Sequence, residues 1–178
     1  DYFGNMADVI FDHEGTLERF ATEDVALCED DVITKILSYI PDAEADKAQL
    51  AYADIVVAGG RGLGKPENFR LVRELAEVLG AEYGGSRPVA QAGWVSGERQ
   101  IGQTGKTIRP RLYIAAGISG AIQHRVGVEG ADVIIAINTD PKAPIFEFAT
   151  YAIVGDALQI LPALTEALRE RIGHAVAA

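Results

Sequence analysis

From Asp54 onward the chain repeats one short cycle: an apolar, largely β-branched run, a stop at Gly, Asn or Asp, then a stretch with helical spacing. Asp54-Ile-Val-Val-Ala58, Arg111-Leu-Tyr-Ile-Ala-Ala116, Asp132-Val-Ile-Ile-Ala-Ile137 and Tyr151-Ala-Ile-Val154 are the clear runs. Each is short and continuously apolar, the pattern of a strand buried on both faces. Between the first two, Pro66 to Leu79 sets Phe69, Val72, Leu75, Ala76 and Leu79 at helical spacing, with Pro66 suited to a first turn and Gly80 to a stop. A second helical stretch is expected from about Ser119. A third covers Asp156 to Ile172, with its regular part starting at Pro162, because proline is costly inside a helix. A weaker strand is expected at Ala81 to Tyr83. Strands joined by helical crossovers give a doubly wound parallel α/β sheet with helices on both faces. Ligands of such sheets bind beyond the carboxyl ends of the strands. Gly59-Gly60, Gly117, Asn138 and Gly155-Asp156 follow the strands and mark where to look.

Residues 1 to 50 lack this rhythm and are expected to be the tail of a preceding domain or an acidic linker, with 51 to 178 the folded domain. Asp31 to Tyr39 is the one helical candidate there. The first 54 residues hold 14 of the 26 acidic side chains but only Arg19, Lys35 and Lys47 of the 16 basic ones. A net charge of −10 argues against non-specific binding to nucleic acid or to an anionic membrane surface, since both need a cationic footprint. Cys28 is the only cysteine, so no intramolecular disulfide or multi-cysteine metal site can form. No apolar run reaches the ~18 residues of a membrane-spanning helix. The chain opens on Asp1 rather than Met and is expected to be a processed product or a cut piece.

Two glycine-rich loops invite a nucleotide reading, and neither fits a standard fingerprint. Gly59-Gly-Arg-Gly-Leu-Gly64 lies between a strand and a helix, where a phosphate is well placed. It does not satisfy G-x-G-x-x-G in either register, because Lys65 or Arg61 falls where glycine is required. Gly105-Lys106-Thr107 resembles the end of a P-loop, but Gln100 replaces the leading glycine. His13, His124 and His174 show no metal-ligand spacing.

Taken together, the loops carry a resemblance. Leu112-Tyr-Ile-Ala-Ala-Gly-Ile-Ser-Gly-Ala-Ile-Gln-His124, Gly127 and Ile135-Ala-Ile-Asn138 resemble the signature of electron transfer flavoprotein alpha subunits. Val57 to Leu63, Gly85-Ser-Arg87, Ile101-Gly-Gln-Thr-Gly-Lys106 and Asn138 to Phe146 are similar to segments of that family in the same order. The resemblance spans roughly residues 50 to 172. It implies a Rossmann-like three-layer FAD/NAD-binding fold holding one FAD, paired with a beta subunit. It implies an electron carrier, not an enzyme with its own substrate, that accepts electrons from flavin dehydrogenases and passes them to a downstream acceptor. The location it implies is the cytoplasm of a bacterium or the mitochondrial matrix of a eukaryote, without membrane insertion.

Carried over by residue, the resemblance assigns Arg61, Ser86 and Arg87 to the cofactor, with Arg87 over the isoalloxazine ring. Ile101, Gly102, Gln103 and Thr104 are implied along the ring edge, with Thr104 near N5. Ser119, Gly120, Ala121, Ile122, Gln123 and His124 form the segment whose histidine nears the C2 carbonyl. Asn138, Asp156 and Ala157 are implied near the adenosine end. A permanent cation at Arg87, with His124 donating beside it, suits a group that gains negative charge on reduction. The helix expected near Ser119 adds its positive end. Trp94 and Tyr113 are read as packing residues, and Lys106 and Lys142 as surface or phosphate-neighbour charges. The competing reading is a module that binds AMP or NAD in a regulatory or structural role; Arg87 and His124 would be wasted beside adenosine alone. Because full alpha subunits carry a further domain, the expectation is that this chain folds alone but holds FAD weakly.

Overall fold

The four apolar runs become the inner strands and one edge of a single sheet. The computed structural model describes residues 9–11, 17–19 and 49–176, in a chain that divides into two compact units, Asp1–Ile40 and Pro41–Ala178. In the first unit, β1 (Val9–Phe11) and β2 (Leu17–Arg19) pair antiparallel, with Ile10 opposite Glu18. The helix expected at Asp31 to Tyr39 lies outside the described residues.

The second unit is built on six parallel strands: β3 (Ile55–Gly59), β4 (Glu82–Ser86), β5 (Gln100–Ile101), β6 (Leu112–Ala116), β7 (Val133–Asn138) and β8 (Tyr151–Val154). Their spatial order is β5-β4-β3-β6-β7-β8. The chain therefore starts in the middle, winds outward through β4 and β5, returns to β6 beside β3, and winds outward the other way. Val57 stands between Tyr83 of β4 and Ile114 of β6.

Strand alternation sorts the core into two layers. Val57, Ile114, Ala116 and Ile137 face α1 (Arg70–Leu79), α2 (Arg87–Gln91) and α4 (Ala157–Val176), meeting Val72, Leu75, Val89 and Leu161. Val56, Ala58, Tyr113, Ala115, Ile134 and Ala136 face the other way, toward the side of α3 (Ile122–Arg125), and meet Ile108, Val128 and Ile145. The inner strands must therefore be apolar at every position, which is the continuous pattern seen in the sequence. Among the described residues no helix is long and apolar enough to cross a membrane.

Several boundaries differ from expectation. β4 runs on to Ser86 because Gly84 and Gly85 leave space that Ile101 and Val89 fill; a Cβ there would meet those side chains at 2.5 and 2.6 Å. The helical stretch expected from Ser119 shrinks to α3, since Gly117 and Gly120 adopt φ of 65° and 81° and hold the preceding segment out of helical geometry. A helix this short contributes little dipole. α4 starts at Ala157 and runs through Pro162. Its start is set by Asp156, whose Oδ1 accepts from the Leu158 N–H at 2.9 Å, and this cap outweighs the one backbone bond that proline removes.

Leu75 is fully buried between α1 and the sheet. Leu75→Ala is expected to lower unfolding free energy by about 2–5 kcal/mol, while Glu74→Ala on the exposed side of α1 changes it by less than about 0.5 kcal/mol. Urea titration followed by circular dichroism measures both.

Candidate functional site

β3 and β6 are neighbours, and the chain leaves their carboxyl ends toward opposite faces. The two loops are stitched together by backbone bonds. Gly60 N–H donates to the Ala116 carbonyl and Gly62 N–H to the Gly117 carbonyl, both at 2.9 Å, and Gly117 N–H donates to Ile137 at 2.9 Å. A side chain on Gly60 would collide with the Gly117 carbonyl, and a Cβ on Gly62 would lie 2.7 Å from the Gly117 Cα. The glycines that fail the nucleotide fingerprint thus serve this close approach of loop to loop.

A cavity of about 600 Å³ opens over these strand ends. Its wall brings together Arg61 after β3, Ser86 at the end of β4 and Arg87 beyond it, Ile101 at the end of β5 and Gly102, Gln103 and Thr104 beyond it, Ser119, Ala121, Gln123 and His124 after β6, and Asn138 at the end of β7. The Gln103 N–H donates to the Gln123 carbonyl at 2.7 Å, tying the β5 loop to α3. Gln100 Nε2 donates to Thr104 Oγ1 at 3.0 Å, which leaves the Thr104 proton available. Asn138 Nδ2 donates to the Ile118 carbonyl at 3.0 Å and holds the third loop in place.

The wall contains no carboxylate among the described residues. Arg61 and Arg87 are exposed, and neither guanidinium has a partner among the described residues. The local field is therefore positive in a chain whose net charge is −10. Lys106 instead makes a surface ion pair with Glu98 at 2.8 Å, and Trp94 packs in the α1-side layer.

Four residues assigned through the resemblance do not reach the wall. Gly120 is buried against the Ile145 backbone. Ile122 is 70% exposed. Asp156 caps α4, and Ala157 is buried in the α1-side layer. Gly62, Pro88 and Ile118 also line the cavity without having been singled out, as does Gly117, which was marked only as a strand end. Their positions just past strand ends were the available signal.

His124 is buried, and its Nε2 lies 2.7 Å from the Tyr113 hydroxyl. Nδ1 is also buried and has no hydrogen-bond partner. Burial lowers the histidine pKa from 6.5 to about 4. The Ile101 carbonyl pulls the other way by favouring a ring proton, but it closes no hydrogen bond on Nδ1. The imidazole is thus neutral at pH 7. Burial also raises the Tyr113 pKa far above its ordinary value, so the phenol stays protonated.

A parallel sheet wound outward from two central strands, with an arginine-lined, carboxylate-free cavity at the point where the winding reverses, defines an α/β domain for a nucleotide cofactor. Residues 49–129 match the family described as electron transfer flavoprotein FAD-binding domain. The chain is 70% identical over 154 residues to Protein FixB of Bradyrhizobium diazoefficiens, covering 86% of this chain and 42% of that protein. It is 50% identical over 147 residues to electron transfer flavoprotein subunit alpha of Thermoanaerobacterium thermosaccharolyticum, covering 83% and 44%. The chain spans less than half the length of these curated relatives.

The site fits an anionic, acceptor-rich group: two unpaired arginines stand at the mouth and an unpaired nitrogen lies on a wall residue. Because His124 titrates near pH 6.5 when unfolded and about 4 when folded, the unfolded state binds more protons between those values. Stability is therefore full above pH 6.5 and falls as pH drops toward 4. Between pH 7 and 4.5 the wild type is expected to lose roughly 2–3 kcal/mol more than His124→Asn in urea unfolding. Equal losses would mean that the imidazole is not held neutral.

Proposed function

We propose that this chain is the FAD-binding part of a heterodimeric electron transfer flavoprotein. It accepts electrons from flavin dehydrogenases and passes them to a downstream acceptor. In this reading it pairs with a beta subunit, works in the bacterial cytoplasm as a carrier, and turns over no substrate of its own. The observation that carries the reading is the cavity itself, with Arg61 and Arg87 unpaired at its mouth and no carboxylate on its wall among the described residues.

Bound FAD supplies the redox chemistry. The protein's part is to hold it and set the surrounding field. Arg87, the first residue of α2 directly after β4, offers a permanent cation with no competing anion beside it among the described residues. A fixed positive charge favours whichever state of a ligand carries more negative charge. Thr104 offers a hydroxyl proton, because Gln100 already fills an acceptor position on its oxygen. The loops bearing Gln103 and Gln123 are joined by a backbone bond, so their polar side chains are presented from a fixed frame. Asn138 is bonded through its carbonyl to Gly155 N–H at 3.0 Å. We assign the adenosine end of the cofactor to Asn138 and to the adjoining Asp156–Ala157 helix start.

Flavin absorbance of the purified chain, read after adding FAD and desalting, is expected to show retained cofactor, more strongly with a beta subunit present. Arg87→Ala combined with Thr104→Ala is expected to weaken FAD binding by about 10- to 100-fold, the loss of a charge-assisted bond together with a neutral one. Unchanged affinity would refute the assignment of these two residues. No retention even with the beta subunit would refute the cofactor site in this chain.

A further inference from the structure

Tyr113 looks like a core residue by every sequence criterion, yet its hydroxyl meets the buried histidine of the cavity wall. The side chain is fully buried in the layer facing α3. Its hydroxyl has a single partner among the described residues, His124 Nε2 at 2.7 Å. The bond can run in two directions. If Nε2 carried the proton, the hydroxyl would accept it, and two groups would be left unsatisfied in a dry interior: the tyrosine O–H and the bare Nδ1. If the hydroxyl donates, Nε2 is a lone pair, the ring proton sits on Nδ1, and only that N–H lacks a partner. Buried polar groups left unpaired are costly, so the arrangement with one orphan prevails over that with two.

The remaining orphan belongs to a residue that lines the cavity. Nδ1 is covered and has no hydrogen-bond partner among the described residues. An unpartnered buried donor at a binding cavity marks a place where a ligand acceptor completes the site.

We propose that Tyr113 is a positioning residue for the cofactor site: its hydroxyl donates to His124 Nε2, fixes the ring proton on Nδ1, and so reserves that nitrogen as a neutral hydrogen-bond donor for bound FAD. The identity of the ligand rests on the function proposed above, whereas the tautomer does not. The device gives the site a directional donor without a buried charge. It also explains why tyrosine rather than phenylalanine stands at the second position of β6.

The test is long-range proton–nitrogen correlation NMR on the whole chain, labelled with ¹⁵N-histidine, with and without FAD. His124→Asn identifies the His124 signal among the three histidines. The expected result without FAD is a pyridine-type Nε2 and a pyrrole-type Nδ1; a proton on Nε2 would overturn the proposal. Adding FAD is expected to shift the Nδ1 resonances, and Tyr113→Phe is expected to spread the proton over both nitrogens and weaken FAD about tenfold. An unchanged tautomer in that variant would also overturn the proposal. If Tyr113→Phe does not fold, the wild-type nitrogen shifts alone decide. If the tautomer is as expected but FAD does not bind even beside a beta subunit, the function proposed above fails, and the Tyr113–His124 arrangement remains without its ligand.

Discussion

The geometry of the site depends on how closely the loops after β3 and β6 approach each other. Adjacent parallel strands whose crossovers depart to opposite faces leave a crevice between their carboxyl ends. Here that crevice is closed at its floor by the bonds from Gly60 to Ala116 and from Gly62 to Gly117, and continued by the bond from Gly117 to Ile137. The approach leaves no room for side chains at Gly60 or Gly62. Residues 118–124 follow directly from Gly117, so displacement of its carbonyl would carry His124 and Gln123 with it. The Gln123 carbonyl in turn anchors Gln103, and Ile118 anchors Asn138. One line of backbone contacts therefore positions polar groups from four strands.

On this floor the protein separates charge from direction. Arg61 and Arg87 are exposed at the mouth, where water keeps a cation inexpensive and its field reaches about a Debye length, ~8–10 Å at ordinary salt. No carboxylate among the described residues lines the cavity, so the arginines act there at short range without one. Inside, a charged imidazole would pay desolvation with no anion to repay it. His124 is neutral for that reason, with its pKa lowered to about 4. The mouth supplies attraction for negative charge, and the interior supplies geometry.

How far this was legible in the sequence follows from how each element is held. β3, β6 and β7 were readable within a residue or two because burial on both faces demands unbroken apolar runs; β8 was equally readable, but as the edge strand it is exposed at all four positions rather than buried on both faces. The end of β4 was not, since Gly84-Gly85-Ser86 has no strand propensity; the strand persists because Ile101 and Val89 need the vacant space. The regular part of α4 was placed at Pro162 on the proline penalty alone, whereas the Asp156 cap starts the helix at Ala157 and the chain runs helical through Pro162. Most of the residues picked out through the family motifs meet at one cavity, as strand-end logic alone would require. Ile122 fails because α3 is four residues long and turns that side chain outward. Asp156 and Ala157 lie beyond the wall because β8 is the outermost strand on its side of the sheet.

Tyr113 shows where one-dimensional reading loses information. In an apolar strand its ring counts as volume, and phenylalanine would supply nearly the same packing. The hydroxyl is accounted for only in three dimensions. Alternation along β6 turns Tyr113 toward the α3 face while Ile114 turns toward α1 and α4, so a one-residue slip would send the ring to the wrong layer. A hydroxyl buried on that other face would cost free energy without return. It is tolerated here because α3 brings His124 Nε2 to within 2.7 Å. The polar atom in the core is thus supported by the site, and the site's histidine is oriented by the core. Neither is physically sensible without the other, and for that reason the sheet register and the chemistry of the cavity cannot vary independently.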